Sequence, residues 1–330
     1  MGIEWAESFT GWNAATMAGL YNNPSNPSTP QAGGPNGQKY YPLNGPGTTL
    51  PKQLSADLAR VLTGFRWLYN GGAGTFLRIL DTAAIQLQLS VDVAGRVTVT
   101  GGAQLFVSAP NLIRQGTWNY IELDTTINNA TGAVLLKVNG VTVANLANVN
   151  TRGGSASNTC NTVMVVGVSA ADGMADWYIL NATGAPNALL GDVVVVPLRP
   201  AAAGFYQEWA LGAGASKTVA VQDATPDGDA SYNLSGTVGQ RDTYTNGHLP
   251  ATLAGTIAGV VVKTNNRKDD AGARVIAGMC RSAGVDAAAA GQPVIATYAW
   301  LADAFATDPG GAAWTVASVN GAEFGYKLIS

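Results

Sequence analysis

Charge is scarce in this chain. Asp, Glu, Lys and Arg together make up 12% of the 330 residues, about half of the usual share of roughly a quarter. The net charge is −3 and there is no basic run. Even Arg267-Lys268, the densest cationic pair, is followed at once by Asp269-Asp270. Binding to a nucleic-acid backbone needs a basic face, so that class is excluded. Histidine is rarer still, with His248 alone. One imidazole cannot build a His-rich zinc site, and no G-x-S-x-G elbow accompanies it, so Ser-His-Asp hydrolysis has no support. Two cysteines, Cys160 and Cys280, read as free thiols of a reducing compartment. No stretch of 18 apolar residues occurs, so no membrane-spanning helix is expected. The opening MGIEWAESFTGW has neither a positive n-region nor an apolar h-region. No secretory signal is expected, and synthesis in the cytoplasm follows.

What is present is apolar and small. Apolar residues reach 47% and glycines number 41, with Ala, Thr, Asn and Val frequent. That mix favours short strands and many turns over long helices. A surface so poor in charge suits a subunit that hides part of itself in an assembly.

The clearest local signal is residues 116–143, GTWNYIELDTTINNATGAVLLKVNGVTV. Ile121 and Leu123 alternate after Trp118 and Tyr120, then Val134, Leu136 and Val138 point one way. Asn139-Gly140 supplies two residues that tolerate positive φ, and Val141 and Val143 resume the alternation. An Asn-Gly pair between alternating apolar runs marks a β-hairpin. Similar alternation runs through Phe65, Trp67 and Tyr69, through Ile85, Leu87, Leu89 and Val91, and through Val97 and Val99. Residues 55–70 fit a helix by the spacing of Leu58, Val61 and Leu62, while context favours strand at least over 64–69. A short helix is expected at 14–21, then a loop from Asn22 to Gly47 that runs over a surface, onto a partner, or as a clamp on a neighbouring subunit. Residues 144–162 read as a polar loop, 163–168 and 176–180 as strands, and GDVVVVPLRP as an edge strand closed by prolines. Some ten to thirteen short strands in about 200 residues are the cue for a sandwich or jelly roll. The loose Ala201–Gly204 stretch marks a boundary. It gives domains 1–203 (including a loop at 22–50) and 204–330. The second is a smaller all-β unit with strands at 236–244, 253–263, 272–280, 294–299, 312–319 and 324–328.

The 116–143 stretch resembles the middle of laminin-G-like, concanavalin A-like jelly-roll domains. There a G-x-W-x-x-[IV]-x-[LV] strand precedes a strand, an Asn-Gly turn and its partner. ADWYILNATGAPNALLGDVVVVPLRP looks like the closing segment of such domains. The whole layout is similar to a group of bacteriophage virion proteins: an ESFTGW opening, the sandwich, the acidic turn PDGDASY and the tail VVKTNNRKDDAGARV…DPGGAAWTVASVNGAEFGYKL. The laminin-G-like match covers about residues 1–200, and the phage-like tail covers 205–330. The resemblance implies a non-enzymatic structural protein of the virion, associated with tail, fibre or baseplate. It would pack against other virion proteins and copies of itself, without a cofactor. The alternative is an adhesin or capsid-decorating protein that binds a host-surface glycan. Glucanases of the superfamily carry an E-x-D-x-E strand. Here Glu122 and Asp124 are followed by Thr126, so no catalytic residue is carried over.

Candidate sites are few. Glu122 and Asp124 share a strand face, as a glycosidase pair would, but read as a solvated face. Asp223, Asp227 and Asp229 offer oxygen ligands around Gly228, though without EF-hand spacing, and turn chemistry alone accounts for them. Tyr40, Tyr41, Trp177 and Tyr178 are candidate stacking partners for sugar rings, whereas Trp67 and Trp118 read as core. Arg267 and Lys268 are placed at a hairpin tip, as a candidate salt-bridge patch at a partner contact.

Overall fold

The computed structural model describes residues 2–10, 12–22, 24–223, 225–250 and 253–330. Gly11 of the opening segment, Asn23 of the loop and Ala224 of the acidic turn lie outside them. The chain divides into two compact units, Gly2–Val195 and Val196–Ser330.

Among the described residues the first unit holds thirteen strands. They are β1 (Ile3–Glu7), β2 (Tyr41–Leu43), β3 (Thr49–Leu58), β4 (Arg60–Tyr69), β5 (Gly74–Asp81), β6 (Ala84–Val91) and β7 (Val97–Thr100). Then come β8 (Gln104–Val107), β9 (Thr117–Thr126), β10 (Gly132–Val138), β11 (Val141–Val149), β12 (Cys160–Val166) and β13 (Asp172–Leu180). One helix, α1 (Ala14–Leu20), follows β1 and is capped by the Asn13 side chain. One sheet runs β1-β13-β4-β9-β10-β11, with β2 also on β13, and the other runs β3-β12-β5-β6-β7-β8. All pairings are antiparallel. Consecutive strands β3 and β4 lie in different sheets, as do β12 and β13. This is a concanavalin A-like jelly-roll sandwich.

Alternation explains the core. Val61, Phe65, Trp67, Ile121, Leu123, Val134 and Leu136 of the first sheet are buried, as are Leu77, Ile79, Leu87, Leu89, Val97, Val99, Val163 and Val165 of the second. Trp67 stacks on Phe76 across the two sheets, with ring centroids 4.6 Å apart. The hairpin forms where expected. Asn139 and Gly140 take φ of 51° and 79°, and Val138 pairs with Val141.

Several expectations need correction. Residues 55–58 end β3 and 60–69 form β4, with a bend at Ala59, because β3 pairs with β12 and β4 with β9 and β13. The loop at 22–47 returns to its own unit at its end. Tyr41 is fully buried, β2 pairs with β13, and Tyr21 stacks on Trp177 at 5.8 Å. The polar loop begins only after Val149, since β11 extends through residues 144–149. GDVVVVPLRP forms no strand before Pro200, for a reason that belongs to the site below.

The second unit holds β14 (Pro200–Gln207), β15 (Ala210–Ala213), β16 (Tyr232–Leu234), β17 (Arg241–Asn246), β18 (Val260–Asn266) and β19 (Arg274–Ser282). It continues with β20 (Val285–Ala288), β21 (Gln292–Val294), β22 (Ala299–Phe305) and β23 (Glu323–Leu328). Its main sheet is β14-β17-β23-β19-β20, with β21 on β19, and two smaller pairs are β15-β16 and β18-β22. Residues 200–203 thus belong to a strand of this unit. Arg267 and Lys268 are not a hairpin tip, because β18 pairs with β22 and β19 with β23. They lie on a connection between sheets. Residues 312–319 contain a short helix, α2 (Val316–Asn320), in place of the expected strand. Thr315 and Ser318 form a reciprocal capping box, which gives the first-turn N–H groups their acceptors.

Candidate functional site

A sandwich has two outward faces, and this one treats them differently. On the seven-stranded sheet the outward face carries Leu62, Tyr120, Tyr178 and Leu180, all buried. The chain itself covers them. Ala182, Leu189, Leu190 and Val193 pack against this cluster. Gly64 lets Tyr178 lie flat on β4, since a Cβ there would sit 2.3 Å from the tyrosine ring. The covering segment binds through its backbone. Leu190 N–H donates to Tyr178 Oη at 3.2 Å, and Gly191 N–H to Glu122 Oε1 at 2.8 Å. Val193 N–H donates to Tyr120 Oη at 3.3 Å, and Val195 N–H to Asp176 Oδ1 at 2.9 Å. Side chains take the donors that a neighbouring strand would otherwise take, so this valine run joins no sheet. Arg66 ties the layers further, reaching Asp176 at 3.0 Å and Asp192 at 2.6 Å.

The Glu122/Asp124 pair therefore does not form a solvated face. Glu122 is 1% exposed and also accepts from Tyr178 Oη at 2.7 Å. Its Oε2 has no partner among the described residues. Asp124 is held by Arg60 through two hydrogen bonds of 2.8 and 2.6 Å. Glu122 Oε1 and both oxygens of Asp124 are engaged by the protein itself.

The outward face of the six-stranded sheet is open. Met164, Arg78, Gln88 and Thr100 are successive cross-strand partners on β12, β5, β6 and β7, so they line one row of that face. Ser90 and Thr98 are partners in a parallel row. All six are half-buried, while the residues between them are core. The side chains of Arg78, Gln88 and Thr100 make no hydrogen bond or ion pair with any described residue, and Arg78 Nε is buried without an acceptor. Beside them opens a cavity of about 230 Å³ lined by Ile85, Gln88, Thr100, Gly101, Gly102 and Gly153. The loop after β11 walls it. Gln86, fully buried, donates to Ser155 Oγ, Ser157 O and Thr159 O at 2.8, 3.0 and 3.1 Å. Gly153 is required for that fit, because a Cβ would lie 2.6 Å from the Ile85 carbonyl oxygen.

The residues singled out from sequence fall elsewhere. Tyr41, Trp177 and Tyr178 are at most 2% exposed and offer no ring face to a sugar. Tyr40 is half-buried, meets Trp118 edge-on at 5.7 Å and donates its hydroxyl to Gln31. Asp223 and Asp227 both face the Ser231 hydroxyl, at 3.1 and 2.9 Å. Asp229 instead accepts from Arg267 at 2.9 Å and Tyr298 at 2.8 Å. The three carboxylates do not converge, and among the described residues no group of three or more His, Cys, Asp or Glu could hold a metal. Lys268 donates to the Gly272 carbonyl. His248 is exposed. Burial pushes the Cys160 and Cys280 thiols up to about 12, which leaves them unreactive. Sequence reasoning missed the row of Arg78, Gln88 and Thr100. Its signal was the uncharged polar set alternating with core residues at Gln86, Gln88, Ser90, Thr98 and Thr100.

No protein-family model and no curated protein matches the sequence. Among solved structures the chain is similar to alginate lyase Aly36B, at 14% identity over 55% of this chain and 95% of that one, with a TM-score of 0.37. It is similar to the Caenorhabditis elegans galectin LEC-6, at 13% identity over 41% and 92% of the two chains, with a TM-score of 0.29. The potassium-bound carbohydrate recognition domain of Emp46p gives 11% identity over 46% and 86%, with a TM-score of 0.31. Likenesses this distant leave the chemistry to be argued from this chain's own residues.

Two predictions concern the covered face. Glu122→Ala strips Tyr178 Oη and Gly191 N–H of their acceptor. Denaturant unfolding should show a loss of about 2–6 kcal/mol, at roughly 1–3 per orphaned buried donor. Glu122→Gln, which keeps an acceptor oxygen, should cost less than half as much. The second prediction concerns pH. Burial pushes the Asp176 carboxyl from 3.8 up to about 6, although Val195 N–H and Arg66 favour the ionised form. A raised folded value means that the fold binds the proton more tightly than the unfolded chain does. This site's contribution to stability therefore grows as pH falls through about 6 towards 3.8, and fades as pH rises through 6. Its size is about 2–3 kcal/mol at 1.36 per pH unit. Asp176→Asn should remove that slope from stability measured against pH. An unchanged slope would show that the burial cost is met elsewhere.

Proposed function

We propose that this chain is a non-catalytic carbohydrate-binding protein, with a sugar lying along the open face of the six-stranded sheet. One observation carries the reading: Arg78, Gln88 and Thr100 form a row of donors and acceptors that no described residue uses, beside an open cavity. Sugar hydroxyls both donate and accept, and amide and hydroxyl side chains match them. Met164 in the same row offers an apolar surface for a ring's C–H face. Catalysis is not part of the proposal, because Glu122 is roofed by the chain and Asp124 is paired with Arg60. The purified full chain on a glycan array should bind at least one saccharide saturably. The double substitution Gln88→Ala and Thr100→Val should weaken that binding about tenfold, and no new reducing ends should appear. Absence of binding to every saccharide, or release of reducing ends, would sink it.

A second reading, assembly into a bacteriophage particle at the tail, fibre or baseplate, has its own support. Phe205, Leu211, Leu234, Val238, Val285 and Ile295 of the second unit are exposed large apolar side chains, and charge overall is sparse. Such a surface favours burial against copies of the chain or other virion subunits. Light scattering of the full chain should then show concentration-dependent self-association, and purified particles should contain it. A monomer at every concentration, together with particles lacking the chain, would refute this.

A further inference from the structure

We infer that Arg78 makes the open sheet face selective for sugars that carry an anionic group, set against its guanidinium while ring hydroxyls meet Gln88 and Thr100. The inference rests on the carbohydrate-binding reading and narrows its ligand class. Arg78 sits in the middle of the face, between Met164 of β12 and Gln88 of β6. Its Nε is buried and without an acceptor. Arg241 Nε is likewise buried without an acceptor, but the Arg241 guanidinium also pairs with Glu208 and Asp286. Arg60, Arg66, Arg241, Arg267, Arg274 and Arg281 each lie within 3.3 Å of a carboxylate. The carboxylate on Arg78's own strand, Asp81, takes the Ser155 hydroxyl instead. Arg78 therefore keeps its charge uncompensated in a row of neutral side chains.

The chemistry of the missing partner follows. A guanidinium presents a planar fork of N–H donors that fits a carboxylate or sulfate through two parallel bonds. Neutral hydroxyls satisfy such donors less well. The chain's net charge is −3, so no broad positive field draws anions to it, and recognition has to be local. The cavity, at about 230 Å³, falls below the roughly 300–1,000 Å³ of pockets that enclose a ligand. It suits one ring of a sugar chain that otherwise lies along the sheet.

Matched saccharide pairs test this on the full chain: uronates and their methyl esters, sialylated and desialylated glycans, sulfated and desulfated glycans. Titration calorimetry should show at least a tenfold preference for the charged member of one pair, shrinking as salt is added. Arg78→Gln should abolish the preference, lowering affinity for the charged member at least tenfold more than for the neutral member, and Arg78→Met should do the same at a comparable melting temperature. Arg78→Lys should retain part of the preference. A preference for the uronate, the sialylated or the sulfated member supports the inference and identifies the anion. Equal binding within every pair, or a preference that survives Arg78→Gln, overturns it while the carbohydrate-binding reading stands. Failure of every saccharide to bind overturns that reading as well.

Discussion

The first unit depends on one constraint: two antiparallel sheets bury their inner faces against each other. The large rings do most of this. Trp5, Phe65, Trp67, Phe76 and Trp177 are at most 1% exposed, and buried rings of this size dominate core energetics. Strand alternation then obliges every second residue to point outward. The sandwich thus creates two outer faces, and each needs an occupant or must be polar enough to meet water.

The two faces resolve that need in opposite ways. The seven-stranded sheet has apolar and aromatic outward residues, and residues 182–195 fold back over them. Their backbone donors end on Glu122, Tyr120, Tyr178 and Asp176. Buried N–H groups there find acceptors, as burial requires. The six-stranded sheet has outward Thr, Ser and Gln with Arg78 among them, and no segment of its unit occupies the Arg78, Gln88 and Thr100 side chains. The covering segment's bonds to Glu122 Oε1, Tyr120, Tyr178 and Asp176 make the first face structural. Unused polar groups make the second face the place where a ligand can gain bonds without displacing the protein's own.

Much of the fold was legible. The Asn139-Gly140 hairpin, the alternation in β5 to β7 and the short helix after β1 follow from local rules of turn chemistry and period. Three misreadings have two causes. The valine run at 193–196 has strand composition, yet its donors pair with side chains distant in sequence. Residues 312–319 are apolar enough for a strand, yet a capping box at Thr315 and Ser318 starts a helix turn. Glu122 alternates with core residues as a solvated side chain would, yet it lies beneath the covering segment. For the valine run and Glu122 a contact outside the local window decided the outcome, whereas at 312–319 a local cap overrode the apolar pattern.

The sequence by itself determined the class of architecture, because period-two apolar patterning, glycine-rich turns and few charges leave little but antiparallel sheet. It also determined which residues alternate to one side of each strand. Only the tertiary structure decided which of the two outer faces would be roofed and which left open. Whether Arg78 would find a carboxylate was settled there too. Period two assigns a side chain to a face, but only the return path of residues 182–195 and the loop after Val149 says what lies above that face.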